Sequence, residues 1–297
     1  MNPFPYSFDN KRYHTLAYHN RQQNCKMQKA IVDAGLSCPN IDGTCGVGGC
    51  IFCDGGSGYF ALDQRLSVAE QIRLETERIR KKIPSAGVMA YFQVHTNTYA
   101  PVDTLRKLYR EALDCDIQGI SIATRPDCLS DDIIDLLSEV AEEKPLTVEL
   151  GLQSVSDATA ERIHRGYPYR VFEESFLRLR ERGIRVCVHI IDGLPGETQE
   201  DMLHTASVLG KLKPDAMKIH LLHVIRGTQL ADLWQSGAYE AMAFDGYVDT
   251  VIQQLELLPP ETVIERITGD GDKRTLIAPM WSADKKRVIN FLKEYLK

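Results

Sequence analysis

The sequence contains no run of about 18 apolar residues, so no segment reads as a membrane-spanning helix. Its first ten residues lack a basic stretch followed by an apolar one, so they do not read as a secretory signal. A cytoplasmic protein with no membrane partner is the expectation. Positive charge is not in excess either: 35 Lys and Arg stand against 41 Asp and Glu, a formal charge of −6. That argues against broad, sequence-blind nucleic-acid binding, although a local basic patch stays open because distribution counts for more than the sum. Repeats, low-complexity segments and proline/glycine linkers are also missing. With 43% hydrophobic and 26% charged residues, nothing suggests disorder or a fibre. The 297 residues suffice for one large α/β domain or two small ones.

What is present is an alternation. Apolar, β-type runs fall at Lys29–Asp33, Val88–Val94, Gly119–Ala123, Leu146–Leu152, Ile184–Ile191 and Ala216–Leu222. Amphipathic patterns predict helices over Val68–Lys82, Val102–Asp114, Asp131–Glu143, Tyr169–Arg182 and Glu197–Lys211. Ser67 with Glu70 fits a capping box, Ser130 before Asp131 and Asp132 fits an N-cap, and Gly183 fits a helix stop. Such alternation predicts a parallel sheet covered by helices, with strands like Ile184–Ile191 apolar on both faces. Six units are too few for a full eight-unit barrel, and spacing alone leaves an open doubly wound sheet as the alternative. Either way, function collects at the carboxyl ends of the strands. Beyond them, residues 223–297 predict a helix at Phe244–Leu257, a short strand at Thr262–Ile267 and a last helix at Ala283–Tyr295. These read as a C-terminal extension packed on the core of residues 1–222.

The cysteines stand at 25, 38, 45, 50, 53, 115, 128 and 187. In a reducing compartment they are thiols or metal ligands rather than disulfides. Cys187, between Val186 and Val188, reads as a plain buried residue. The run from Cys38 to Cys53 is different: it holds Cys38, Cys45, Cys50 and Cys53, follows the first predicted strand, and carries Gly43, Gly46, Gly48 and Gly49 for a close-curling backbone. All four could hold a structural zinc. Alternatively, three could hold an iron–sulfur cluster and leave one iron open, where electron-transfer clusters use four cysteines. Only Cys50 and Cys53 form the close pair typical of zinc sites, which favours iron.

Here the chain resembles a known family. Cys38-x11-Cys50-x2-Cys53, with Pro39-Asn40 and Gly48-Gly49, is similar to the radical S-adenosylmethionine (SAM) proteins of the YhcC/YtqA group, relatives of the radical SAM domain of Elongator catalytic subunits. The resemblance continues through Tyr91-Phe92-Gln93, Thr96 to Tyr99, Ala123 to Asp127, Glu149 to Gln153, Asp192 to Gly196, His223 to Thr228 and Arg266 to Asp270. It implies a partial (β/α)6 TIM-type barrel with a C-terminal α/β extension. It also implies a [4Fe–4S] cluster on Cys38, Cys50 and Cys53, with Cys45 a departure from the family's ligand pattern. SAM would chelate the open iron, and an electron from the reduced cluster would release a 5′-deoxyadenosyl radical that takes a substrate hydrogen. The cofactors carry this step, and the protein positions them.

Strand ends supply the SAM-binding candidates. Gln93, Thr96 and Asn97 follow the second strand, where radical SAM barrels contact the methionyl ammonium. Ser121 and Arg125 belong to the third, Arg125 suited to the SAM carboxylate. Glu149 and Gln153 belong to the fourth, Glu149 suited to ribose hydroxyls and too costly to bury unpartnered. His189 and Asp192 belong to the fifth. His220, His223 and Arg226 gather beyond the sixth and are the substrate candidates. His164-Arg165-Gly166 reads as a helix end or a substrate contact, and Tyr91 and Phe92 as core.

No residue pattern defines the substrate. The resemblance implies the wobble uridine of tRNA, with tailoring of a carboxymethylaminomethyl-type side chain. It also implies an electron donor such as flavodoxin or ferredoxin, and a functional link to a SAM-dependent methyltransferase. No acetyltransferase domain follows, so full Elongator-like chemistry is not expected. Lys11-Arg12-Tyr13-His14, Arg21 and Lys26 suggest an N-terminal arm for phosphates and bases, while Lys285-Lys286-Arg287 reads most simply as a solvated helix face. Two rivals stay open: a radical SAM enzyme acting on a small metabolite such as a porphyrin precursor, and a non-catalytic, zinc-stabilised binding protein.

Overall fold

A computed structural model describes residues 4–8, 11–23, 26–55, 60–269 and 271–295. Cys25, Asp270 and parts of the stretch Met1–Asn10 lie outside them. In chain order the elements are α1 (Leu16–Gln22), β1 (Met27–Val32), α2 (Val68–Lys82), β2 (Gly87–Phe92), α3 (Val102–Leu113), β3 (Gly119–Thr124), α4 (Asp131–Glu143), β4 (Leu146–Gln153), α5 (Asp157–Arg162), α6 (Tyr169–Glu181) and β5 (Arg185–Asp192). They continue with α7 (Gln199–Leu212), β6 (Ala216–Leu221), β7 (Val224–Ile225), α8 (Gln229–Gln235), α9 (Phe244–Leu257), β8 (Val263–Arg266), β9 (Leu276–Ala278) and α10 (Lys285–Tyr295).

Seven strands form one parallel sheet in the order β1-β2-β3-β4-β5-β6-β8. The order runs without reversal, whereas a doubly wound sheet reverses at a switch point. The sheet also curls, because the side chains of its two edge strands meet: Lys29 Nζ of β1 lies 3.2 Å from Glu265 Oε2 of β8. The architecture is therefore a half-barrel. Its seventh strand is the short one predicted for the C-terminal extension, which joins the main sheet through the pairing of Ala216 with Val263 and Met217 with Ile264. The segment before β1 lies on the outer edge of β8, where Ile264 N donates to His14 O at 2.8 Å.

The core lies between the outer sheet face and the helices. Val148, Leu150 and Leu152 of β4 belong to it, together with Ile133 and Leu137 of α4 and Phe172 and Phe176 of α6. The expectation that strands would be apolar on both faces holds only outside. Val186, Val188 and Ile190 face the helices, while the alternating Arg185, Cys187 and His189 face the barrel interior by the two-residue period of a strand. The barrel lumen is thus polar and charged.

Caps explain several boundaries. Ser67 accepts from Glu70 N, but the Glu70 carboxylate turns to Arg73, so only half of the predicted box forms. Ser130 is an N-cap without a side-chain bond. The complete box is Thr198 with Asp201, which moves the start of α7 to Gln199. Gly183, at φ 69°, takes the left-handed position that ends α6. A second, two-stranded antiparallel sheet pairs β7 with β9. Leu222, Val224 and Leu230 beside it pack with Ile51 of the cysteine loop, and Leu230 N donates to Ile51 O at 2.9 Å.

Candidate active site

The cysteine loop connects β1 to α2 and is folded by its own backbone. Cys45 N donates to Pro39 O at 2.7 Å, Gly49 N to Asn40 O at 2.8 Å and Cys53 N to Cys50 O at 2.8 Å. A side chain on Gly46 would stand 2.3 Å from Asn40 Oδ1, so glycine is required there. Asn40 itself is buried. Its Nδ2 donates to His164 O at 2.6 Å and lies 3.6 Å from Cys50 Sγ, which ties the loop to the turn after α5.

That turn is held by Arg165, whose guanidinium is almost wholly buried and donates to Ser154 O at 2.6 Å, to Tyr167 O at 2.9 Å and to Leu152 O. Tyr167 is stacked between Arg165 and Arg125, with the guanidinium carbons 4.6 and 4.8 Å from its ring centre. His164-Arg165-Gly166 is therefore a structural knot below the loop.

Cys38, Cys50 and Cys53 line one cavity of about 430 Å³ at the carboxyl ends of the strands, whereas exposed Cys45 lines a separate groove behind the loop. Burial, with Cys53 beside it, pushes the Cys50 thiol up to about 11. Cys53 is raised by burial as well. Thiols in that state lose their proton to a metal and not to water. Among the described residues no three His, Cys, Asp or Glu side chains converge as they do around a single ion. Three cysteines facing one cavity, with Cys45 elsewhere, match the ligand set of a cluster that leaves one iron open, whereas a closed zinc site takes four ligands. Cys128, half-buried near Asp127, is pushed up to about 12 by burial and stays protonated.

The predicted SAM and substrate residues divide. Gln93, Thr96, Arg125, Gln153, His189, His220 and His223 line the cavity together with the cysteines. Two of the ends there are strained: His95 after β2 and Gln153 at the end of β4 stand at φ 58° and 64°, a conformation that costs a side-chain-bearing residue about 1 kcal/mol. Arg125 already holds Asp127 through both arms, at 3.0 and 2.6 Å. Asn97 points away and donates to Ala123 O at 3.0 Å. Asp192 is buried on the helix side of β5 against Gln254. Arg226 is exposed outside the cavity, so the trio with His220 and His223 does not assemble.

Glu149 lines the same cavity, but protein donors take up its carboxylate. It is fully buried in the floor of the lumen and surrounded by donors. Lys29 Nζ and Ser121 Oγ reach Oε1 at 2.6 and 2.7 Å, Tyr91 OH and His189 Nε2 lie 2.8 Å from Oε2, and Lys218 Nζ donates to Oε2 as well. Burial opposes its charge, but Lys218 and Lys29 outweigh it and hold the carboxyl well below the usual range. Burial and then Lys218 lower His189, which leaves a neutral ring in the floor. With its lone pairs engaged, Glu149 has none for ribose hydroxyls. Its partners Lys29, Tyr91 and Lys218 escaped sequence reasoning. The sequence signal was the inward carboxylate itself, which demanded a partner without naming one.

The two inner aromatics of the N-terminal arm are spent on the fold, while Arg12, Arg21 and Lys26 stay exposed. Tyr13 and His14 are buried, His14 Nδ1 lies 2.9 Å from Glu261 O, and Tyr6 stacks on His14. They are not available to stack on a base. Arg287 lies over the ring of Phe244 at the surface, as a solvated helix face requires.

The radical SAM superfamily profile matches residues 42–209, and the Radical_SAM C-terminal domain profile matches residues 214–297. This chain belongs to the radical SAM superfamily. The match begins after Cys38, so the choice of Cys38 over Cys45 in this radical SAM protein rests on which of them lines the cavity. YtqA of Bacillus subtilis is 45% identical over 299 residues, spanning 100% of this chain and 93% of that protein. YhcC of Escherichia coli K12 is 35% identical over 278 residues, spanning 93% and 89%. Elongator complex protein 3 of Danio rerio is 33% identical over 166 residues, which is 54% of this chain and 30% of that protein. Among solved structures, the archaeal Elp3 of Methanocaldococcus infernus with an N-terminal deletion superposes at a TM-score of 0.69 with 16% identity, covering 92% of this chain and 64% of that one. Streptococcus suis SuiB bound to S-adenosylmethionine superposes at 0.50 with 14% identity, covering 84% and 53%. Both show the shared fold. Membership implies a [4Fe–4S] cluster and SAM. Among the described residues no helix is long and apolar enough to cross a membrane.

Proposed function

We propose that this radical SAM enzyme cleaves SAM reductively at a [4Fe–4S] cluster on Cys38, Cys50 and Cys53 and modifies the side chain of a tRNA wobble uridine. One observation carries the reading: Cys38, Cys50 and Cys53 share a cavity with Gln93, Gln153 and His189, and Cys45 does not. Three protein ligands leave room for a substrate-derived fourth. When bound, the cluster and SAM supply a 5′-deoxyadenosyl radical that abstracts a hydrogen atom.

The chain's own residues do the rest. Asn40 offers an N–H toward Cys50 Sγ and fixes the loop on the His164 carbonyl. Gln93, Thr96 and Gln153 present amides and a hydroxyl for the polar groups of SAM. His220 and His223 line the same cavity and are the substrate contacts of this reading. Burial and then His189 keep His220 well below its usual pKa, so it meets substrate as a neutral imidazole. The tRNA reading is supported by the likeness to Elongator complex protein 3 over 54% of the chain and by the wobble-uridine substrate that the sequence resemblance implies. A flavodoxin or ferredoxin as electron donor and a methyltransferase acting on the product belong to the same proposal.

The test is anaerobic reconstitution followed by incubation with SAM, dithionite and bulk tRNA. 5′-Deoxyadenosine and an altered uridine nucleoside are expected by mass spectrometry. Deoxyadenosine with unchanged nucleosides would overturn the tRNA substrate and leave a small metabolite in its place. A colourless, zinc-loaded protein would overturn the enzyme altogether.

A further inference from the structure

The half-barrel is open along one side, because β1 and β8 are the two edges of the main sheet and do not pair with each other. A lateral groove of about 380 Å³ lies beside this seam. It shares Phe60, Tyr91, Gln93 and Arg266 with the main cavity, so the two spaces meet at those side chains. Its charge departs from that of the chain. Lys29, Arg78, Lys82 and Arg266 line it against the single carboxylate of Glu75, in a protein whose formal charge is −6.

The cations are graded from inside to outside. Lys29 is committed to Glu149 and Glu265 at the inner end. Arg78 touches Glu75 at 3.2 Å through one nitrogen and keeps 62% of its side chain in solvent, so most of its donors remain available. Lys82 is exposed one helical turn further along α2. A row of cations leading from the surface to a cavity suits a chain of phosphates better than one small anion, which a single cation pair would hold.

We propose that the phosphodiester strand of an RNA runs along Arg78 and Lys82, with Arg266 at the point where its target base passes through the seam. The inference rests on the tRNA reading and deepens it, since it assigns the backbone contacts of that substrate. The seam also gives the base a sideways way in, beside the buried Tyr13 and His14 of the N-terminal arm.

The experiment is binding of bulk tRNA to the full, reconstituted chain by fluorescence anisotropy across a salt series, repeated without the cluster. The double variant Arg78→Ala/Lys82→Ala is compared with Lys107→Ala, an exposed lysine on α3 away from the groove. The double variant is expected to bind roughly tenfold more weakly, with a slope of log K against log salt shallower by about 1–2, while Lys107→Ala stays at wild type. Equal binding by wild type and double variant would overturn the groove and leave the tRNA substrate standing. Equal weakening by Lys107→Ala would also overturn it, as would uridine monophosphate competing as well as an RNA stem-loop. If the wild-type protein retains no tRNA at all, the substrate reading itself falls.

Discussion

Gln254 donates through Nε2 to Asp192 Oδ1 at 2.7 Å, and each of the two residues keeps a second, buried oxygen with no partner. A proton on Asp192 would spare the buried carboxyl an uncompensated charge and turn Oδ2 from an acceptor without a donor into a donor beside the equally unpartnered amide oxygen of the same pair. Burial pushes the Asp192 carboxyl up to about 7, in the direction this pairing requires.

The sign follows from that elevation. Below about pH 4 the folded and unfolded chains both carry the proton. Between there and pH 7 the unfolded chain releases it and the folded chain does not, so stability falls as pH rises. Asp192→Asn is expected to remove this slope and to stabilise the apoprotein at pH 8 by on the order of 2–4 kcal/mol. Urea unfolding at pH 5 and pH 8 measures it; equal slopes in variant and wild type would assign the pH dependence elsewhere.

Glu149→Gln leaves Lys29 and Lys218 facing each other across a neutral amide in the lumen floor. A loss of about 3–5 kcal/mol is expected, as for other buried pairs deprived of one partner. In the wild type the same ion set stabilises the fold above the ordinary glutamate range and is lost only as pH falls through the depressed value of Glu149. Thermal melting decides. A variant with an unchanged melt and weakened SAM binding would restore the ribose role.

Iron analysis after anaerobic reconstitution separates the cysteines. Ala at Cys38, Cys50 or Cys53 is expected to abolish the brown chromophore, and Ala at Cys45 to keep it. A colourless Cys45→Ala protein would exchange the roles of Cys38 and Cys45.

Gly46→Ala and Asn40→Ala are expected to act through one event. The new methyl group at position 46 displaces Asn40 Oδ1 and with it the bonds to His164 O and Cys50 Sγ. Each variant should lose iron several-fold faster to a chelator than wild type. The double variant should be no worse than either single one, because coupled sites are not additive. Additive losses would show that Gly46 serves some other contact.

Much of the fold was legible because the outer faces of the strands are apolar runs, and each run was found within a residue or two. The interior faces were legible only in part. His189 was singled out and Cys187 read as buried, but Arg185 was not, and the environment the three share exists only once seven strands curl. Of the site, the cysteine spacing marked the loop, since glycines and a close cysteine pair are local signals. The partners of Glu149 were beyond reach for the opposite reason: Lys29 lies 120 residues before it and Lys218 lies 69 residues after. β7 and β9, with two and three residues, are too short to carry a period.

The contact between Lys29 and Glu265 spans 236 positions of sequence. A ribosome making this protein therefore releases nearly the whole polypeptide before the first strand meets the last acid that neutralises it. Until then the nascent half-barrel carries an excess lysine inside and lacks the tie that sets its radius. Non-local closures of this kind form late and slowly. Products ending before residue 265 lack both that tie and at least the second half of the seventh strand.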